Sequence, residues 1–289
     1  MEMPVALLRE KLIRFLREDV GMGDITTEGV VPTGTRVRAQ IIPREPAVVA
    51  GVSEVKALLE VLGINVVRSV GDGEEVRPGS VVMELEGEGR TILAAERTAL
   101  NILMRMSGIA TAVRELVRKV EGAGFRVRIA ATRKTAPGLR YFDKRAVALG
   151  GGDTHRLRLD DAVLIKDNHI VIAGGVREAI KRARVITSFA KKVEVEVRTP
   201  EEALSAAESG ADIVMLDNMT PERVEESIKV LERHGLRDKV LVEVSGGITK
   251  DNILTYAKRR PDIISLGSLT HSVQAIDMSL KVVEVRSDQ

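Results

Sequence analysis

"KVEVEVRTPEEALSAAESGADIVMLDNMTPERVEESIKVLERHGLRDKVLVEVSGG", residues 192–247, decides the fold. Three runs rich in β-branched residues, 192–197, 211–217 and 239–247, have strand length. Between them lie two segments with helical apolar spacing, Pro200–Ser209 and Pro221–His234, opened by Thr199 and Thr220 as N-caps. Strand–helix alternation with short loops implies parallel strands covered by helices. Similar apolar runs occur outside this stretch: "RVRIAAT" (126–132), "DAVLIK" (161–166) and "DIISLGS" (262–268). Six or seven such units predict a closed or nearly closed β/α barrel rather than a doubly wound sheet. No G-x-G-x-x-G follows an early strand, which agrees.

The preceding part reads as α+β. A helix over about 4–18 leads into "GMGDITTEGVVP" (21–32), whose Gly, Asp and Thr residues predict a loop. "TRVRAQIIPREPAVVAG" (35–51) alternates like a strand, and "SEVKALLEVLG" (53–63) reads as a helix with Ser53 as its cap. Short strands punctuated by Gly and Pro follow, then a helical pattern over 93–121, with the domain boundary near 105–120.

Composition excludes several function classes. The 44 basic and 42 acidic residues of this 289-residue chain nearly cancel, and aromatics are 2% with no Trp. Neither the basic surface nor the stacking platforms of a nucleic-acid binder are expected. The lack of cysteine removes disulfides, thiolate nucleophiles and cysteine zinc sites. Charges interrupt the N-terminal apolar residues, and no segment is long and apolar enough to span a bilayer, so a soluble cytoplasmic protein is expected.

Barrel chemistry gathers at the carboxyl ends of the strands. Those ends carry Thr132, Arg133 and Lys134, then Lys166–Asp167–Asn168–His169, Glu196, Asp217–Asn218, Ser245–Gly246–Gly247 and Gly267–Ser268. The last two turns, "VEVSGGIT" and "ISLGSLTH", offer backbone N–H groups beside a helix start and so predict a phosphate site, although tight turning alone also uses such residues. Arg133 and Lys134, with His155 and Arg156 from "GGGDTHR", predict a polyanionic substrate over a solvated surface patch. Glu194 and Glu196 alternate with valines and share one side. Glu196 and Asp217 suit Mg2+ held jointly with substrate oxygens, ribose hydroxyls, or structural pairing with Arg133 or Lys166. Lys166 also suits a Schiff-base lysine.

These residues occur within an ordered set: "ATRKTAPGLR" (131–140), "KRAVALGGGDTHRLRLDDAVLIKDNHI" (144–170), "VEVEV", "IVMLDNM", "EVSGGI" and "SLGSLTHS". With "GDITT" (23–27) and "ERTALNILMRMSGIAT" (96–111), the set resembles quinolinate phosphoribosyltransferase, or nicotinate-nucleotide pyrophosphorylase (carboxylating), over about residues 5–280. Thr154 departs from the Asn usual before the His.

The resemblance implies an α/β fold: an N-terminal α/β sandwich (1–110), with the C-terminal tail 275–289 placed on it, and an incomplete TIM-like β/α barrel (111–274). It implies a homodimer or higher homo-oligomer whose subunits share active sites, Arg97 reaching the partner's substrate. Thr132, Arg133, Lys134, His155, Arg156 and Lys166 would line the substrate pocket. Of these, Arg133, His155, Arg156 and Lys166 would fix quinolinate, while Lys134 would face the ribosyl donor. Glu196 and Asp217 would serve the ribose and Mg2+ of phosphoribosyl pyrophosphate. Ser245, Gly246, Gly247, Gly267 and Ser268 would hold its 5′-phosphate, with His271 nearby. The implied reaction is phosphoribosyl transfer to quinolinate with decarboxylation, giving nicotinate mononucleotide, CO2 and pyrophosphate. The alternatives are the same fold acting on nicotinate or another acid, a Schiff-base aldolase using Lys166, and a non-catalytic phosphometabolite sensor. For Arg140, Lys144 and Arg145 the sequence leaves the role open between the substrates and a helix surface or subunit contact.

Overall fold

A computed structural model describes residues 2–286, so positions 287–289 of the expected tail lie outside the described residues. Contacts divide the chain into two interleaved units, one formed by the residues up to Arg114, Tyr141–Gly151 and the residues from Val273, the other by Glu115–Arg140 and Gly152–Ser272.

The first unit begins with α1 (Val5–Val20), which buries Leu8 and Leu12, and α2 (Ile25–Val30). It continues with β1 (Arg36–Pro43), β2 (Ala47–Val48), α3 (Val52–Val61), β3 (Asn65–Ser69), β4 (Glu75–Val76) and β5 (Met83–Glu88). A 34-residue helix, α4 (Gly89–Gly122), passes into the second unit at Glu115. After β6 (Arg128–Ala131), α5 (Arg140–Leu149) returns the chain to the first unit. At the chain's end β12 (Met278–Arg286) pairs antiparallel with β1, from Met278 opposite Pro43 to Arg286 opposite Arg36. The four-stranded sheet thus has the order β12-β1-β5-β3. Strict alternation along β1 buries Val37, Ala39 and Ile41 on one face.

Three local expectations change. The segment 21–32 contains α2, because Asp24 accepts from the Thr27 amide at 3.0 Å and caps it. Ser53 lies inside the first turn of α3 and does not cap it. The cap comes from Asp72, 20 residues beyond Val52, which accepts from the amides of Gly51 and Val52 at 2.8 and 2.9 Å and from the Ser53 hydroxyl at 2.7 Å. On α5, Lys144 is fully buried and Arg145 nearly so, rather than on a surface. Arg145 pairs with buried Glu54 at 2.7 Å, and Asp143 accepts both Nε and Nη2 of Arg105 at 2.8 and 2.9 Å. Arg140 donates to Thr135 and to the Leu157 carbonyl, within the second unit.

The second unit holds β6, β7 (Val163–Ile165), α6 (Asp167–Ala173), α7 (Val176–Ile186), β8 (Val193–Val197), α8 (Pro200–Glu208) and β9 (Ile213–Asp217). It continues through α9 (Pro221–Arg233), a 3-10 turn, β10 (Leu241–Ser245), α10 (Ile253–Ala257), β11 (Ile263–Leu266) and α11 (Ser268–His271). Thr199 and Thr220 accept from the amides of Glu202 and Arg223 and cap α8 and α9. All six strands are parallel, in the order β6-β11-β10-β9-β8-β7. Strands β8 to β11 thus neighbour one another in chain order and β6 pairs with β11, leaving β6 and β7 at the two ends of the sheet. This is an α/β barrel left open at one seam, spanned in part by a bridge between Ala130 and Asp153.

Register places the interior. Glu196, Met215, Glu243 and Ile263 are successive Cα partners across β8–β11, so their side chains share one face. Val195, Val214, Val244 and Ile264 take the opposite, fully buried face toward the helices.

Candidate active site

A cavity of about 510 Å³ opens at the carboxyl ends of the barrel strands. Eleven of the residues expected in the site line it: Thr132, Arg133 and Lys134 after β6, His155 and Arg156 from the seam, Lys166 after β7, Glu196, Asp217, and Ser245–Gly246–Gly247 after β10. Gly267, Ser268 and His271 are not among its lining residues, but they lie beside it. A Cβ on Gly267 would stand 2.9 Å from Lys134 Cδ and 3.1 Å from the His271 ring, so the side chains of Lys134, which lines the cavity, and His271 both pack on Gly267. Arg97 is exposed on α4, in the first unit, and does not line the cavity.

The Gly turn has a steric origin. Gly246 has φ +89°, and a Cβ there would come within 2.3 Å of Asn218 Oδ1. Gly247 is also left-handed, at φ +64°. Any larger residue at 246 would collide with the loop after β9, so the backbone itself faces the cavity there.

Cations dominate one side. Arg133 and Arg156 are close enough for charge repulsion: burial first, then Arg133, lowers the Arg156 pKa from its usual value. Arg156 donates to the Ala162 carbonyl at 3.1 Å, while Arg133 Nε is buried with no hydrogen-bond partner among the described atoms. Two guanidiniums so placed hold best with an anion between them. Lys166 pairs with Glu196, whose charge also reaches Arg156. Asp217 accepts from Asn218 Nδ2 at 2.9 Å and lies 4.0 Å from Arg198, which pairs with Asp167 at 3.2 Å.

His155 sits over the barrel interior. Its Nε2 is 3.2 Å from a carboxylate oxygen of Glu194 and 3.2 Å from one of Glu243, both buried. Its Nδ1 accepts from the Arg156 amide at 2.8 Å, so the ring carries its proton on Nε2, toward the carboxylates. Burial, the largest influence, opposes a charged ring. The charges of Glu194 and Glu243 beside Nε2 work against burial and raise the His155 pKa, while the Arg156 amide donating to Nδ1 disfavours a second proton there. Burial likewise raises the Glu194 carboxyl above its ordinary value.

Asp167 and Asn218, expected at the strand ends without an assigned role, also line the cavity, and sequence reasoning missed four further lining residues: Leu164, Arg198, Met215 and Glu243. Alternation pointed to Glu243, two residues before Ser245 on the same strand. Asp167 and Asn218 directly follow the strand-end residues Lys166 and Asp217. Nothing in the local pattern distinguished Arg198 from an ordinary surface arginine.

The family profile for the quinolinate phosphoribosyl transferase N-terminal domain matches residues 24–107, and that for the C-terminal domain matches 109–281. The chain is 51% identical over 267 residues to the probable nicotinate-nucleotide pyrophosphorylase (carboxylating) of Methanothermobacter thermautotrophicus, covering 92% of this chain and 96% of that protein. It is 38% identical over 280 residues to the human nicotinate-nucleotide pyrophosphorylase (carboxylating), covering 97% and 93%. The solved structure of the Francisella tularensis nicotinate-nucleotide pyrophosphorylase superposes with a TM-score of 0.89 at 36% identity, covering 99% of this chain and 98% of that one. Two family profiles that together span most of the sequence, and relatives alike over nearly its full length, establish that this chain belongs to the quinolinate phosphoribosyl transferase family.

Proposed function

We propose that this protein transfers the phosphoribosyl group of phosphoribosyl pyrophosphate to quinolinate with loss of CO2, forming nicotinate mononucleotide and pyrophosphate in the supply of NAD. The observation that carries this is the lining of one cavity, where Arg133 and Arg156 lie close enough to repel each other and share the wall with a backbone turn made of Ser245, Gly246 and Gly247. A dicarboxylate suits the first and a sugar phosphate the second.

Arg133, Arg156, His155 and Lys166 bind and orient the two ring carboxylates, with Thr132 at the edge. Lys134 faces the ribosyl donor, next to Gly267, Ser268 and His271. The ring nitrogen attacks C1 of the ribose as pyrophosphate leaves. Glu196 and Asp217 stand where carboxylates stabilise the positive charge that develops on the ribose. The ring C2–carboxylate bond then breaks and CO2 leaves; the electron pair stays on C2, stabilised by the adjacent cationic nitrogen, and takes up a proton from water.

Mg2+ fits the donor set, since Glu196, Asp217 and the Asn218 amide offer hard oxygens, and it would neutralise charge on the departing pyrophosphate. The family relationship supports a homo-oligomer in which Arg97 enters the neighbouring subunit's site. The absence of cysteine supports a cytoplasmic location. A Schiff-base role for Lys166 is disfavoured, because its side chain is 45% exposed and paired with Glu196 rather than desolvated.

Replacing Glu196 by Gln or Asp217 by Asn tests the assignment. Turnover should fall at least about tenfold, as for loss of a group acting mainly in the transition state, with melting temperature nearly unchanged. A large drop in melting temperature with turnover retained would make these carboxylates structural.

A further inference from the structure

Glu194 and Glu243 stand out in the second unit. A barrel interior is normally filled by Val, Ile and Leu, yet these two carboxylates are 1% and 0% exposed. Burying a carboxylate costs several kcal/mol unless it is well partnered. They come from β8 and β10, which are not neighbours in the sheet, and both converge on His155 Nε2 at 3.2 Å.

His155 itself needs holding. Its φ of +51° is left-handed, a conformation that a residue with a Cβ rarely adopts without support. Its amide donates to Asp153 at 2.7 Å, its Nδ1 accepts from the Arg156 amide, and its Nε2 meets the two carboxylates. The ring is therefore gripped on both nitrogens, and one grip is the main chain of Arg156, which lines the cavity.

A histidine with two glutamates is also a conceivable metal set. The ring argues against that. A metal at Nε2 needs that nitrogen's lone pair, with Nδ1 donating its proton to a partner. Here Nδ1 is the acceptor, so Nε2 bears the proton.

We infer that Glu194 and Glu243 are positioning residues for the acid substrate: they clamp His155, and through its ring the backbone of Arg156, in the geometry that receives the substrate carboxylates. This rests on the cavity being the quinolinate site. Both glutamates act through His155; Glu194 does so from outside the cavity lining, while Glu243 is itself part of that lining.

The test begins with calorimetric titration of the intact protein with quinolinate. No binding would overturn both the cavity assignment and this inference. Given binding, steady-state constants are compared for E194Q, E243Q, H155A and the double variant E243Q/H155A. E243Q should raise KM for quinolinate about tenfold, the scale on which losing a charged partner of a positioned ligand-binding side chain acts, with kcat and KM for phosphoribosyl pyrophosphate changing less than about threefold. The double variant should be no worse than H155A alone, because the glutamate has nothing left to position. Additive losses, or an equal rise in KM for both substrates, would overturn the inference. So would metal at one atom per chain in the purified protein, lost in E243Q. Where E243Q does not fold, E194Q with E194Q/H155A gives the same comparison. Failure of both glutamine variants to fold while H155A folds would also overturn it, since the carboxylates would then serve the barrel and not the ring.

Discussion

Arg133→Ala is expected to weaken quinolinate binding by about 10- to 100-fold, because a hydrogen bond to a charged group contributes about 1.5–3 kcal/mol and a guanidinium fork supplies two. Arg133 lines the cavity, and its buried Nε has no partner among the described atoms. The free protein therefore keeps this group ready for a ligand rather than using it for internal bonding. Repulsion from Arg156 falls at the same time, so the variant should fold at least as well as the parent. Arg133→Lys should be intermediate, retaining charge but losing the planar fork. Titration calorimetry with quinolinate and, separately, with phosphoribosyl pyrophosphate checks this. Unchanged quinolinate affinity, or an equal loss for both, would contradict the carboxylate role.

Asp143→Ala should give the largest loss of stability. The carboxylate is completely buried on α5 and receives both Nε and Nη2 of Arg105 in a fork, all within the first unit. Removing one member of a buried pair typically costs about 3–5 kcal/mol. The Arg105 side chain keeps about a quarter of its exposure, which lets water compensate in part, so about 3 kcal/mol is expected. Urea denaturation should show this as a lower midpoint at unchanged slope. A change below about 0.5 kcal/mol, the range of ordinary surface substitutions, would mean that the pair is not the anchor of α5.

Legibility in the sequence followed the range of the interaction. Strands 193–197 and 213–217 and the caps Thr199 and Thr220 depend on neighbours within a few residues, and pattern alone located them. Most of the cavity was legible for the same reason: strand ends in a parallel barrel must converge, so residues after β6, β7, β8, β9 and β10 meet. Ser53 misled because its helix takes its cap from Asp72, a partner no local window includes. Lys144 and Arg145 misled because a charged helix face normally meets water, whereas here Glu54 and Asp72 wait for Arg145. Glu243 was overlooked although its register was readable. Burial against His155, 88 positions away in sequence, is what gives it meaning.

The most direct test is to incubate the purified protein with quinolinate, phosphoribosyl pyrophosphate and Mg2+ and to follow nicotinate mononucleotide and CO2 together. Equal amounts of both, dependent on phosphoribosyl pyrophosphate, are the predicted result. Nicotinate mononucleotide from nicotinate but not from quinolinate, or no product from either acid, would contradict it.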